Sequence, residues 1–274
     1  MNDGEVRARI LLNVCVPANE GRLRKHLHGI SPTDAMQIVS SSSSSHRWLA
    51  MALERSRARL SQFDLDKSLK TTEKLSLEVL EPERIPGITD LESQAPWILF
   101  ATSKPPLVEY SAVVGTRAHT SAGARMVTEI VQRMGDGQGL VSGGARGVDL
   151  NAHNQAKNKR LSQLMVLASG MDSVFPNAAA EFIRSGFLGA AISELPPGIG
   201  SGKIGYLNRN RLIAAICQEL YLVEAPEISG SINTAQHALS LGRVVNVCLD
   251  DNPDYSPGGR WFAKKPGVRT EVFD

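Results

Sequence analysis

The sequence predicts an α/β protein built on a doubly wound, mostly parallel sheet, with a small helical module in front of it. Three observations carry this. From Ser111 onward, short apolar runs alternate with segments of helical periodicity. Nearly every run ends in a loop of small residues. The first segment, to about Lys70, carries helical spacing instead.

In chain order, Ser31-Pro32-Thr33-Asp34 reads as a helix start, with a capping hydroxyl and a proline at the first helical position. The stretch HRWLAMALERSRARL, His46 to Leu60, has helical spacing, and the serine run Ser40 to Ser45 reads as a flexible connector. The expected division is a helical module over 1–70 and a larger domain over 71–274. Between Thr71 and Lys104, Leu75 to Leu80 and Trp97 to Phe100 are broken by Pro82, Pro86, Gly87 and Pro96, which predicts edge strands with irregular links. Six runs follow, Ala112–Val114, Gly139–Val141, Leu164–Leu167, Ala190–Ile192, Leu220–Val223 and Val244–Val247. They are apolar on both faces, as strands covered on both sides must be, and helical segments between them make βαβ units with right-handed crossovers.

At 274 residues and 42% hydrophobic, the chain can bury a full core. No stretch approaches the roughly 18 apolar residues of a membrane span, and the start MNDGEVRARI is charged where a signal peptide is apolar, so a cytoplasmic, membrane-free protein is expected. Cys15, Cys217 and Cys248 form neither a disulfide framework nor a zinc pattern and read as reduced and structural. Scattered carboxylates predict no metal centre. Net charge is only +2, but residues 1–70 hold 11 Lys+Arg against 7 Asp+Glu, leaving the remainder slightly acidic. An anion site in the larger part must therefore be local.

In doubly wound sheets ligands sit beyond the carboxyl ends of the strands. The loops there read Gly115-Thr116-Arg117, Ser142-Gly143-Gly144-Ala145-Arg146-Gly147, Ala168-Ser169-Gly170, Ser193-Glu194 and Glu224-Ala225, with Ser229-Gly230-Ser231 opening the next helix. Glycine lets backbone approach a ligand, and amides at a helix start bind anions, so phosphate is the expected guest. Ser142, Gly144 and Gly147 fit G-x-G-x-x-G spacing with serine first, but no acid follows near Leu167, which excludes an ordinary NAD site; no P-loop pattern occurs. Arg117, Arg146, and Arg209 and Arg211 around Asn210 are cations at or near helix starts, where the macrodipole disfavours them unless an acid or an incoming anion compensates. Glu194 and Glu224 offer the acids, so an internal ion-pair network and a phosphate grip both stay open. Asp149 and His153, four apart, read as a helix contact rather than an acid–base couple. Without a nucleophile elbow the inventory suits a binding protein, not an enzyme.

Six stretches in register, VVGTR (Val113 to Arg117), SGGARGVD with His153, LASGMDSVFP (Leu167 to Pro176), RNRLIA (Arg209 to Ala214), LVEA (Leu222 to Ala225) and SGSINTAQHAL (Ser229 to Leu239), resemble the DNA-processing protein A (DprA/Smf) family from about Pro96 to Val247. The resemblance implies an extended Rossmann-like domain with a small SAM-like helical module. It also implies sequence-independent binding of single-stranded DNA, homodimerisation, loading of a RecA-type recombinase during natural transformation, and no cofactor. By position it places Arg117, Ser142 to Gly147, Arg209 and Arg211 in the DNA pocket, with Asn210 and Ser229 to Ser231 lining it and Asp149, His153 and Glu224 in support. With aromatics at 5% of residues, affinity should be led by the phosphate backbone; Tyr206 and Phe175 are the aromatics placed to stack.

The chain departs from the family pattern at Gly144, where a leucine is usual, and at Tyr206-Leu207, in place of Phe-Pro. From Val247 the tail lacks the usual proline-glycine and serine-glycine ending, with no winged helix after it, so the terminal elements and dimer surface should differ. The rival reading is a nucleotide-binding Rossmann enzyme similar to the lysine-decarboxylase-like nucleotide hydrolases. That group's P-G-G-x-G-T motif is missing, since Gly258-Gly259 leads into Arg260-Trp261.

Overall fold

A computed structural model describes residues 1–252 and 254–273. Five helices come first: α1 (Asp3–Cys15), α2 (Gly21–Leu27), α3 (Pro32–Ser41), α4 (Arg47–Leu60) and α5 (Leu65–Lys74). The Ser31 hydroxyl accepts the Asp34 N–H at 3.2 Å with Pro32 at the first position, so α3 starts where its capping residues predict. The serine run behaves differently from expectation at its start. Ser40 and Ser41 belong to α3, their hydroxyls donating to the Met36 and Gln37 carbonyls, which shortens the connector to residues 42–46. The border expected at residue 70 falls inside α5. Leu12, Leu23, Leu27, Val39 and Leu53 bury the helices against one another.

The strands are β1 (Glu78–Leu80), β2 (Leu99–Ala101), β3 (Glu109–Gly115), β4 (Gln138–Ser142), β5 (Ser162–Val166), β6 (Gly189–Ser193), β7 (Cys217–Val223), β8 (Val244–Leu249) and β9 (Val268–Val272). They form one sheet in the order β1-β2-β6-β5-β4-β3-β7-β8-β9. β1 and β2 pair antiparallel at one edge, as the broken apolar pieces predict, β2 is also antiparallel to β6, and the remaining pairings are parallel. The connecting helices are α6 (Ser121–Arg133), α7 (Val148–Lys159), α8 (Asn177–Arg184), α9 (Lys203–Ile216), α10 (Gly230–Ser240) and α11 (Pro257–Phe262).

Successive side chains of a strand face opposite sides, and β3 shows the result. Ala112 and Val114 pack with Ile213, Ala235 and Ala238 of α9 and α10, while Val113 packs with Met126, Val127, Val148 and Ala152 of α6 and α7. From β3 the chain moves outward through β4, β5 and β6, then returns to place β7 on β3's other side. The order therefore reverses between β3 and β7, and that switch point opens a crevice beyond their carboxyl ends.

Side chains including Asn13 and Arg24 tie the front helices to the sheet and to the segment that leads into it. The Asn13 amide donates to the Ile98 and Glu194 carbonyls at 2.8 and 2.7 Å and accepts the Trp97 N–H at 2.8 Å. Arg24, almost wholly buried, donates to the carbonyls of Val16, Ser93 and Ala95. At the other end, the tail that departs from the family pattern forms α11 and β9, the latter parallel on β8. Among the described residues, no helix is long and apolar enough to cross a membrane.

Candidate nucleic-acid interface

The switch point holds an open cleft of about 810 Å³. Three helices begin at it, since its lining includes Ala145 and Asp149 at the start of α7, Gly202 and Lys203 at the start of α9, and Ser229 to Ser231 at the start of α10. The first amides of a helix have no intrahelical acceptor, and the aligned peptide dipoles leave that end positive. The cleft is thus a place where three positive helix ends meet. Of the site residues expected from sequence, Gly115, Thr116, Arg117, Asp149, Arg209, Asn210, Ser229, Gly230 and Ser231 line it together.

Arg117 is exposed on the loop after β3, its guanidinium 5.2 Å from the centre of the half-buried Tyr206 ring. That loop is held by Glu224, whose carboxylate accepts the Thr120 N–H at 2.8 Å and its hydroxyl at 3.2 Å, and whose carbonyl accepts the Thr116 N–H. Glu224 therefore acts in support, orienting the loop that carries an arginine, and of the two alternatives left open for it the ion pair is not formed among the described residues. Asn210 braces the start of α10 by donating to the Gly230 carbonyl at 3.0 Å and to Asn233 at 3.2 Å. The Ser229 hydroxyl caps α10 through the Ile232 N–H and lies 2.9 Å from the Ser231 hydroxyl.

Arg209 forms the floor. It is 4% exposed, donates to the carbonyls of Gly143 and Val166, and lies 6.0 Å from the Tyr206 ring. A Cβ at position 143 would stand 2.1 Å from this guanidinium, so the second residue of the tract must be glycine to admit it. Asp149 balances the floor. Burial raises its carboxyl, while Arg209 and the amides of Ala145 and Gly143, at 3.3 and 3.2 Å, pull the other way.

The remaining expected site residues stand elsewhere, each for a visible reason. Ser142 is fully buried and donates to the Val113 carbonyl at 2.7 Å, joining β4 to β3. Gly144 packs on Met165, and Gly147, at φ 78°, leaves no room for a Cβ, which would stand 2.4 Å from the Thr116 carbonyl oxygen. The tract thus serves close packing of loops first. Arg146 is exposed but outside the cleft lining. Arg211 is the main correction: it is 1% exposed and makes a bidentate pair with Glu194 at 2.8 and 2.6 Å. Burial would raise the Glu194 carboxyl, but Arg211 and Arg24 outweigh it and hold it below its ordinary value. The His153 ring bonds Gln163 at 2.9 Å while Asp149 accepts from backbone amides, and burial pushes the imidazole down to about 4. Phe175 is exposed in a separate groove beside α8.

Sequence reasoning missed Lys203, which supplies an exposed cation at the cleft mouth. The signal for it was weak, because a single lysine after Gly202 in a loop of glycines reads as solvent-facing.

The sequence model of a family described as DNA recombination-mediator protein A matches residues 79–265. DNA processing protein DprA of Streptococcus pneumoniae is 31% identical over 180 residues, 60% of this chain and 63% of that protein. A protein of Mycobacterium tuberculosis that carries the DprA name is 36% identical over 157 residues, 55% of this chain and 40% of that protein. The chain thus spans less than two thirds of the length of either relative. Among solved structures, DNA processing protein A from Streptococcus pneumoniae aligns with a TM-score of 0.70 at 23% identity, covering 96% of this chain and 89% of that one. The protein of the same name from Helicobacter pylori, described for its single-stranded DNA binding mode, aligns with a TM-score of 0.61 at 24% identity, covering 71% of this chain and 90% of that one. At these identities the structural likeness establishes the fold.

Proposed function

We propose, from the premise that this chain belongs to the DNA recombination-mediator protein A family, that it binds single-stranded DNA without sequence preference in the switch-point cleft and hands the strand to a RecA-type recombinase during DNA uptake and recombination. The observation that supports this reading is the convergence of three helix starts with Arg117, Lys203 and Arg209 around one cleft, with Tyr206 between the first and last. Phosphates are served by amides and cations, and a base by the Tyr206 ring, a mode of binding that tolerates any sequence. The cleft acts by binding rather than catalysis. Its buried acid, Asp149, is committed to the amides of its own loop, and the nearby imidazole, His153, lies outside the lining. Homodimerisation and a recombinase partner belong to the same proposal, supported by family membership, and light scattering and recombinase filament growth on the bound strand test them.

The test of DNA binding is titration of a fluorescent oligothymidine at several salt concentrations. Arg117→Ala and Lys203→Ala are each expected to weaken binding roughly tenfold and to make the logarithmic salt slope shallower by about 0.7 for each phosphate no longer neutralised. Binding that is absent at low salt, or indifferent to both changes, overturns the proposal. Release of base from nucleoside monophosphates would instead favour the enzymatic rival.

A further inference from the structure

A second basic surface lies on the front helices, next to the cleft. On α2, Arg22 and His26 are four residues apart and share a face, both exposed, with exposed Lys25 beside them. Trp48, at the start of α4, lies against both. The Arg22 guanidinium stands 4.0 Å from its ring centre, and the His26 ring meets it edge-on at 6.0 Å. Among the described residues, Arg22, Lys25 and Arg47 enter no salt bridge, whereas many other arginines here do. The acid beside this surface, Glu20, is already taken by Arg55 and Arg59 at 2.8–3.1 Å. Arg22, laid over the indole without an acid partner, takes no part in the helix core, where Leu23 and Leu27 occupy the buried face of α2.

The surface adjoins the cleft. Asn19, two residues before α2, accepts a hydrogen bond at 3.3 Å from Asn208, whose neighbours Leu207 and Arg209 line the cleft. From Gly21 to His26 the chain advances about 7–8 Å along α2. A strand leaving the cleft over the start of α9 therefore meets Arg22 and Trp48 next. We infer that the Arg22, His26 and Trp48 surface holds the continuation of the same single strand, its cations on phosphates and the indole under a base. This rests on the cleft reading. Its chemistry is that of single-stranded nucleic acid, since an aromatic platform flanked by cations serves a stacked base and its phosphates together.

Two linked binding surfaces raise affinity only for a ligand long enough to reach both. The experiment compares labelled dT6 and dT20 with the full chain, as wild type, Trp48→Ala and Arg22→Gln. The expected result is that each change weakens dT20 roughly tenfold and leaves dT6 unchanged, while Arg117→Ala weakens both. Because Trp48 is half-buried, thermal melting accompanies it, and if Trp48→Ala fails to fold, Arg22→Gln with Lys25→Gln decides. Unchanged dT20 affinity in both variants overturns the second surface and leaves the cleft standing. Equal weakening of dT6 and dT20 also overturns it, since the effect then acts through the cleft. Failure of wild type to bind either oligonucleotide removes the cleft reading and this one with it.

Discussion

Arg209 and Arg211 sit two residues apart on one helix, which separates them by about 200° around its axis. They point to different sides of it, and the structure sends Arg209 to the cleft floor and Arg211 to Glu194. The family resemblance assigned both to the pocket; which of the two faces the cleft was not legible, because it depends on where Glu194 lies at the end of a strand distant in the sheet. Removing one member of a buried pair strands the other charge, so Glu194→Ala is expected to cost about 3–5 kcal/mol in urea denaturation. Arg211→Ala should likewise change stability and leave the salt slope of DNA binding intact. An unchanged unfolding midpoint for Glu194→Ala would contradict the pairing. His153 gives a pH signature. Its imidazole stays neutral in the fold down to about 4, whereas in the unfolded chain it takes a proton near 6.5. Above pH 6.5 both states hold it neutral; between 6.5 and 4 only the unfolded state binds the proton, so stability falls as pH falls, by up to roughly 3 kcal/mol. His153→Gln is expected to flatten that decline, measured by denaturation at a series of pH values; an identical decline would show that the buried ring does not govern it.

At the scale of elements, the six apolar runs predicted β3 to β8 because strands covered on both faces leave continuous hydrophobic stretches. β9 escaped notice for the opposite reason: Arg269 and Thr270 are exposed on an edge strand whose sequence carries no apolar run. The glycine tract was legible as a place of close approach, but not as to what approaches. Gly143 makes room for the Arg209 guanidinium and Gly147 for the Thr116 carbonyl, so much of its composition answers to the protein rather than to a ligand. Gly147→Ala combines a left-handed φ of 78° with a backbone clash, and strain of this kind costs about 1–3 kcal/mol. The expected outcome is a lower melting temperature together with weaker oligonucleotide binding, since the displaced Thr116 adjoins Arg117. A variant that melts like wild type and binds DNA equally well would count against this account of the two loops.

For the whole molecule, the reversal of strand order between β3 and β7 brings together loops that lie more than a hundred residues apart. The alternating runs predicted that such a crevice exists, whereas the depth of each side chain within it is set by packing that no local pattern encodes. The front helices show the same limit. Their presence was readable, but not their anchoring through Asn13 and Arg24 to the carbonyls of Ile98, Glu194, Ser93 and Ala95. Burial pushes Arg24 down to about 9, so it remains charged at neutral pH while saturating three carbonyls. The two parts are therefore expected to unfold in one calorimetric transition, and Arg24→Met to separate it into two; two transitions in wild type would contradict the anchoring. The most direct test of the central claim is photo-crosslinking of an oligonucleotide carrying 4-thiothymidine, followed by peptide mapping. Crosslinks on the peptides bearing Arg117 and Lys203 to Tyr206 are the expected result, and crosslinks confined to surfaces away from the switch point would contradict it.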